Sequence, residues 1–114
     1  SQEQLRAEIA VNLSKYAAPY IEDPERLNPR WLAAFFVVLY CRMRHSLRTG
    51  EIRSKQAGVT WALQTLDDRW HNLIEAAWLR RQENLKSLIR ATSSQEIQET
   101  ADFLDEAIKS LPAS

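Results

Sequence analysis

The stretch from Asn28 to Gly50, NPRWLAAFFVVLYCRMRHSLRTG, decides the fold of this chain. It carries helix signals at both ends. Asn28 is a good N-cap, Pro29 suits the first helical position, and Gly50 suits the left-handed position that follows a helix. The run from Trp31 to Cys41 is apolar throughout, so we expect a central helix that is buried on more than one side.

A first helix is predicted before this stretch, from about Gln2 to Ala18. Its apolar residues recur at spacings of three and four, which is typical of one buried helical stripe, and Pro19 is expected to end it. The stripe consists of Leu5, Ile9, Leu13 and Tyr16. Residues 21–28 are predicted to form a polar connection.

Two further helices are predicted after the central one. Ser54 is a good N-cap for a third helix that ends near Leu66. Asp67 or Asp68 is expected to begin a fourth helix that runs past Leu88. Short links between amphipathic helices favour an antiparallel arrangement.

The last helix is predicted from a capping-box spacing, Ser93 followed by Glu96, and Pro112 is expected to lie just beyond its end. The sequence therefore predicts an all-α fold, an antiparallel bundle of about five helices.

Length and composition limit the possible functions. A chain of 114 residues fits one domain, and its net charge of zero provides no bulk attraction to nucleic acid or to a membrane surface. The lone Cys41 permits neither an intramolecular disulfide nor a thiolate zinc cluster, which suits a reducing cytoplasm. A first residue of Ser1 rather than Met indicates a fragment boundary.

Two basic residues stand in unusual positions. Arg42 directly follows the apolar run, so its guanidinium either reaches solvent from the rim of the core or binds an anion such as phosphate. Lys55 follows the Ser54 cap, where a cation opposes the helix dipole unless an anion binds there too. The alternative is that Lys55 is an exposed lysine that is solvated and binds no ligand.

Other cations surround these two residues. Between positions 42 and 55 the only acidic residue is Glu51, while Arg44, Arg48 and Arg53 add positive charge. Such a local excess in a net-neutral protein points to an anionic ligand, although an arginine near a helix C-terminus such as Arg48 also has a structural explanation.

No catalytic or metal-binding constellation is evident. His45 and His71 lie at no trusted metal-ligand spacing, and neither a Ser–His–Asp order nor a glycine-rich phosphate loop is present. We therefore expect no catalytic residue and no metal ligand in this chain.

The stretch from Leu39 to Arg81 resembles the C-terminal helical domain of bacterial aminoglycoside adenylyltransferases, the streptomycin and spectinomycin type. The resemblance rests on the order and spacing of short pieces over some forty residues. These pieces are Cys41-Arg42, Leu47-Arg48-Thr49-Gly50, Ser54-Lys55, Trp61-Ala62 and Glu75-Ala76-Ala77. The resemblance leaves residues 93–114 as an additional C-terminal helix beside a family-like bundle over residues 1–92.

The resemblance implies roles for several basic residues. It implies that Arg42 and Lys55 contact the phosphates of a nucleotide. Arg81 stands where the family often has a tyrosine near the nucleotide, and we count Arg81 and Arg48 as additional candidates for phosphate binding.

The resemblance also implies what this chain lacks. The family's drug-binding acidic residue would fall near Trp31 and Leu32, where this chain has no carboxylate. The family's magnesium ligands and catalytic base belong to an N-terminal nucleotidyltransferase domain that is absent here. ATP and Mg²⁺ are thus expected only in the complete enzyme, which would transfer AMP to a small-molecule acceptor.

The alternative is a helical interaction module without catalysis, acting as an adaptor or as a dimerisation domain. An upstream segment with a Gly-Ser turn and an Asp-x-Asp pair would favour the enzyme, and a start codon directly before Ser1 would favour the module.

Overall fold

The computed structural model describes the backbone of residues 1–111 and, apart from Leu85 and Leu88, their side chains. Over these residues it contains six α-helices, two short 3-10 turns and no β-strand, which confirms the predicted all-α fold. The α-helices are α1 (Gln2–Glu22), α2 (Arg30–Thr49), α3 (Lys55–Thr65), α4 (His71–Arg80), the single turn α5 (Leu85–Leu88) and α6 (Ser94–Lys109).

The central position of α2 is confirmed, because α2 contacts each of the other α-helices. Its apolar run supplies much of the core, including the fully buried side chains of Val37, Tyr40 and Cys41. Burial of these side chains is the main force that assembles the bundle.

Contacts between helix ends fix the relative directions of the helices. The Arg6 Nε donates to the Leu47 carbonyl, 3.0 Å away, and the Tyr40 hydroxyl donates to the Leu13 carbonyl, so α1 runs antiparallel to α2. At the other side of the bundle, Arg80 at the end of α4 pairs with Glu96 at the start of α6. The Trp70 ring at the start of α4 lies 5.3 Å from the Phe103 ring further along α6, so α4 runs antiparallel to α6.

The prediction that Pro19 ends the first helix is wrong, since α1 continues to Glu22 with Pro19 inside it. A proline there removes one backbone donor and crowds the preceding turn. The following turn offsets this loss by packing on the core, where the Tyr20 ring lies 4.6 Å from the Phe36 ring.

The predicted start of α2 is also wrong by one residue. Pro29, in an extended conformation, is the N-cap, while Asn28 is helical and ends the preceding 3-10 turn. The Asn28 carbonyl instead accepts hydrogen bonds from the backbone N–H and the hydroxyl of Thr92, at 2.7 and 2.6 Å. The predicted end is confirmed, because Gly50 has a φ of 73°, a left-handed conformation that favours glycine.

The predicted caps of the third and last helices are confirmed. The Ser54 hydroxyl accepts from the Ala57 N–H at 3.1 Å, and the Ser93 hydroxyl accepts from the Glu96 N–H at 3.2 Å. The Glu96 carboxylate pairs with Arg80 and does not complete a capping box. Pro112 lies outside the described residues.

The fourth helix is shorter than predicted. Asp67 caps the 3-10 turn Asp68–Trp70, and α4 then ends at Arg80 rather than beyond Leu88. The Asn84 side chain accepts from the Ser87 N–H at 2.9 Å, which starts a separate turn and competes with continuation of the helix. Over residues 1–111, no helix has the length and apolarity that a membrane crossing requires.

Candidate functional site

Lys55 lies at the edge of a cleft between α2, α3 and α4, which we call the α2–α4 cleft. Because Ser54 caps α3, Lys55 is the first residue of that helix, and its side chain is exposed. The cleft has a volume of about 170 Å³. It is lined by Lys55 together with Trp31, Ala34, Phe35, Val38, Leu39, Ala77, Arg80 and Arg81.

Arg81 lines the same cleft from the end of α4. Its guanidinium carbon lies 3.4 Å from the centre of the Trp78 ring, a cation–π contact that holds the side chain against the helix. Its neighbour Arg80 is paired with Glu96, which neutralises that charge. The structure therefore brings Lys55 and Arg81 to one cleft, and among the residues that it describes neither forms an ion pair.

Arg42 lies beside this cleft rather than in its lining. The side chain is half-buried, and its Nε donates to the Arg53 carbonyl at a distance of 2.7 Å. This bond connects α2 to the link that ends at Ser54, so Arg42 helps to position the start of α3 and thereby Lys55. This contact gives Arg42 a structural role as an anchored arginine at the rim of the core.

Arg48 lies in a different cleft, formed by α1, α2, α3 and α6. This cleft has a volume of about 670 Å³ and also contains Arg6 and Arg44. Two of its three arginines have partners, since Arg6 donates to the Leu47 carbonyl and Arg44 pairs with Glu106 at 2.6 Å. The structure does not bring Arg48 together with Lys55 and Arg81.

The local excess of positive charge is smaller in the structure than in the sequence. Arg44 is neutralised by Glu106, and the Arg53 guanidinium lies 3.4 Å from the Glu51 carboxylate. Within residues 42–55, this leaves Arg42, Arg48 and Lys55 without a carboxylate partner in the described part of the chain.

Cys41 and His45 are both buried. Burial raises the pKa of the Cys41 thiol to about 12, so this cysteine stays protonated at neutral pH and is a poor nucleophile. His45 stacks on Trp61 with ring centres 5.4 Å apart, and burial, with a smaller contribution from Arg53, lowers its pKa. Residues 1–111 contain no group of three or more His, Cys, Asp or Glu side chains that could hold a metal ion.

Two features of the α2–α4 cleft were not predicted. Trp31 and Phe35 belong to the apolar run that was expected to be buried, yet their exposed fractions are 48% and 47%. Their spacing of four places them on one helical side and could have indicated a shared surface, but nothing in the sequence shows that this side is left uncovered. Arg80 also lines the cleft, at the C-terminal end of α4. The sequence did not predict that α4 ends there.

These observations define a class of protein: an all-helical domain that presents basic side chains at an apolar cleft. The family model described as aminoglycoside adenylyltransferase, C-terminal domain, matches residues 2–107, and the chain belongs to this family. The match includes most of α6. Membership implies an N-terminal nucleotidyltransferase domain in full-length proteins of this kind. No curated protein and no solved structure matches the chain.

Proposed function

We propose that this chain is the nucleotide-binding C-terminal domain of an adenylyltransferase that transfers AMP from ATP to a hydroxyl group of a small acceptor. The observation that carries the proposal is the position of Lys55. It is exposed at the first turn of α3, beside a cleft that also holds Arg81, and it has no carboxylate partner among the described residues. Family membership supports the same assignment.

The start of α3 suits a phosphate group. The first backbone N–H groups of a helix have no partner within the helix, and its dipole favours an anion at this end. The Lys55 ammonium group would add a full positive charge to these partial charges. Together they would neutralise the phosphates of ATP and the pyrophosphate that leaves.

Arg42 has two tasks in this proposal. Its Nε donates to the Arg53 carbonyl, which fixes the side chain beside the start of α3. The two terminal nitrogens form no hydrogen bond within residues 1–111, so they are available to donate to phosphate oxygens. Arg81 would be a further contact, whereas Arg48 is left out because it lines the other cleft.

The reaction that this domain would support is a displacement at the α-phosphorus of ATP. The acceptor oxygen forms a bond to that phosphorus, the bond to the oxygen that bridges to the β-phosphate breaks, and pyrophosphate leaves. The acceptor proton passes to a base that this chain does not supply. In this scheme Arg42 and Lys55 bind and orient the phosphates, and the cytoplasm supplies the ATP.

The described residues do not form a binding site for Mg²⁺, because no three or more of their His, Cys, Asp or Glu side chains cluster in a way that could hold a metal ion. We therefore propose that the magnesium ligands and the base belong to the N-terminal nucleotidyltransferase domain. That domain would form the opposite wall of the site.

A second candidate function is a non-catalytic interaction module, either an adaptor or a dimerisation domain. The observation that favours it is the pair Trp31 and Phe35, which exposes aromatic surface one helical turn apart. This hypothesis predicts a dimer or a complex that depends on these two side chains and binds no pyrophosphate.

Calorimetric titration with pyrophosphate and with ATP tests the proposal. The wild-type chain should bind both, and Lys55→Ala should lower both affinities by roughly ten- to a hundredfold, the effect of losing one charged hydrogen-bond partner. Arg42→Ala should act similarly. Lys15→Ala is the matched control, because Lys15 is an exposed lysine on α1 and should have no effect.

Failure of the proposal would have a clear form. If wild-type and Lys55→Ala proteins bind pyrophosphate equally, or if neither binds even when a nucleotidyltransferase domain is joined to the chain, then the phosphate role is wrong. Circular dichroism of each variant would show that the bundle remains folded.

A further inference from the structure

The larger of the two clefts, which lies between α1, α2, α3 and α6 and which we call the α1–α6 cleft, has no part in the proposed function. Its volume of about 670 Å³ is within the range of small-molecule pockets, about 300–1,000 Å³. Thr65 lines this cleft, whereas Lys55 lines the α2–α4 cleft. These residues are the last and the first of α3 and lie about 15 Å apart along the helix axis, so the two clefts reach opposite ends of α3.

The charged side chains that line the α1–α6 cleft are all positive. They are Arg6, Arg44 and Arg48, and no carboxylate is in the lining. Arg44 is neutralised by Glu106, which lies 2.6 Å away. Arg6 and Arg48 form no ion pair among the residues that the structure describes. Two guanidinium groups at this cleft are therefore not neutralised.

The C-terminal end of α2 offsets only part of this charge. The Arg6 Nε donates to the Leu47 carbonyl at 3.0 Å, and its Nη2 donates to the Arg48 carbonyl at 3.4 Å, which holds the Arg6 side chain at the rim of the cleft. The helix dipole places about half a negative charge at this end of α2. Arg6 and Arg48 carry two positive charges, so an excess of positive charge remains that a bound anion would neutralise.

The rest of the cleft is largely apolar. Trp61 contributes the largest side chain, which is half-buried and lies against His45 with ring centres 5.4 Å apart. This stacking contact fixes the orientation of the indole ring. Smaller apolar side chains from α1, α2, α6 and the end of α3 surround it: Ala10, Leu47, Ala107 and Leu66. A fixed aromatic ring among apolar side chains favours contact with another ring.

We propose that the α1–α6 cleft is a second ligand site, which binds a small organic anion made of an aromatic ring and one carboxylate or phosphate group. Arg6 and Arg48 would hold the anionic group, because a guanidinium donates well-aligned hydrogen bonds to either kind of anion. The ring would pack on Trp61. None of these residues belongs to the phosphate site proposed at Lys55, so the second site does not depend on that function.

The probes for this inference are 2-naphthoate and 2-naphthyl phosphate, each titrated into the full chain by calorimetry. The wild-type chain should bind at least one of them. Arg48→Ala should weaken binding about tenfold or more, the effect of losing one charged hydrogen-bond partner, and Arg48→Glu should weaken it further. Arg26→Ala is the matched control, because Arg26 is an exposed arginine in the turn between α1 and α2 and should have no effect.

Two comparisons assign the parts of the ligand. Acetate lacks the ring and should bind at least tenfold more weakly than naphthoate, as expected for the loss of a large apolar contact. Tighter binding of naphthoate than of naphthyl phosphate, with the same loss in Arg48→Glu, would support the site and identify a carboxylate ligand. The reverse order, with the same loss, would support the site and identify a phosphate ester.

The Lys55→Ala variant separates the second site from the proposed function. It should lower the affinity for pyrophosphate, which lacks a ring and should favour the start of α3, while the affinity for naphthoate stays unchanged. Binding of both probes that Lys55→Ala weakens and Arg48→Glu does not would place them in the α2–α4 cleft and overturn the inference. Failure of both probes to bind the folded wild-type chain at millimolar concentration would also overturn it.

Discussion

Gly58 of α3 lies directly against the backbone of Arg42 of α2. A side-chain carbon at Gly58 would sit 2.6 Å from the Arg42 Cα and 2.8 Å from the Arg42 backbone nitrogen, closer than atoms in proteins pack. The absence of a side chain at Gly58 therefore allows α3 to approach α2 at Arg42. The relative position of Arg42 and Lys55, the two residues proposed to bind phosphate, depends on this contact.

Gly58→Ala should destabilise the chain despite the higher helix propensity of alanine. Overpacking against a rigid backbone costs about 1–3 kcal/mol, whereas the propensity gain is about 1 kcal/mol. Because the clash is with backbone atoms of Arg42, we expect a cost in the upper part of that range, about 2–3 kcal/mol, and thus a net loss of about 1–2 kcal/mol in the free energy of unfolding, measured by urea denaturation. Gln56→Ala, an exposed substitution on the same helix, is the control. A Gly58→Ala protein as stable as the wild type would show that α3 moves away freely.

Arg80→Ala should be more destabilising than loss of a surface ion pair. Arg80 and Glu96 join the end of α4 to the start of α6, and their side chains are only 13% and 16% exposed. Removing one partner leaves the other charge partly buried, and we expect a cost of about 2–3 kcal/mol, below that for fully buried pairs.

Two variants calibrate this prediction. Lys109→Ala breaks the exposed pair with Asp105 and should leave the urea midpoint almost unchanged. The double variant Arg80→Met with Glu96→Leu replaces both charges by apolar groups and should recover much of the loss. Equal effects of Arg80→Ala and Lys109→Ala would contradict the structural role of the buried pair.

Tyr40→Phe tests the connection between α1 and α2. The Tyr40 ring is fully buried, and its hydroxyl donates to the Leu13 carbonyl. Loss of one hydrogen bond of this kind costs about 1 kcal/mol. Tyr16→Phe removes the same hydroxyl from an exposed ring on α1 and should have little effect on the urea midpoint. A Tyr40→Phe protein that unfolds at the wild-type midpoint would rule out this contribution.

The histidine at the α2–α3 contact should make the fold sensitive to acid. Burial and the nearby Arg53 lower the pKa of His45, so the folded state keeps the ring neutral at a pH where the unfolded chain binds a proton. The unfolded state then binds more protons, and stability must fall as the pH drops below about 6.5, the ordinary pKa of histidine.

His45→Phe removes this titration while keeping an aromatic ring against Trp61. The variant should lose less stability than the wild type when the free energy of unfolding is compared at pH 7 and pH 5. Equal losses in the two proteins would mean that His45 does not contribute to the acid sensitivity.

Features set by neighbouring residues were predicted well from the sequence. The Ser54 and Ser93 caps and the left-handed Gly50 each depend on a hydrogen bond or a backbone angle within a few residues. For the same reason, the sequence was sufficient to place Lys55 at the first turn of α3.

Features that depend on distant partners were predicted poorly. Pro19 stays inside α1 because Tyr20 packs on Phe36 of another helix. Asn28 does not cap α2, and its carbonyl is engaged by Thr92. In the candidate site, the contact of Arg42 with the Arg53 carbonyl and the meeting of Arg81 with Lys55 likewise arise from helix packing, which local patterns do not encode.

The central claim, a phosphate site at the start of α3, is tested most directly by mapping where pyrophosphate binds on the chain with backbone-amide NMR. The account predicts that the amide signals of Lys55, Gln56 and Arg81 shift on titration and that those shifts are lost in Lys55→Ala. Shifts centred on Arg6 and Arg48 in the other cleft would contradict it, as would the absence of any shift at millimolar pyrophosphate even with a nucleotidyltransferase domain joined to the chain.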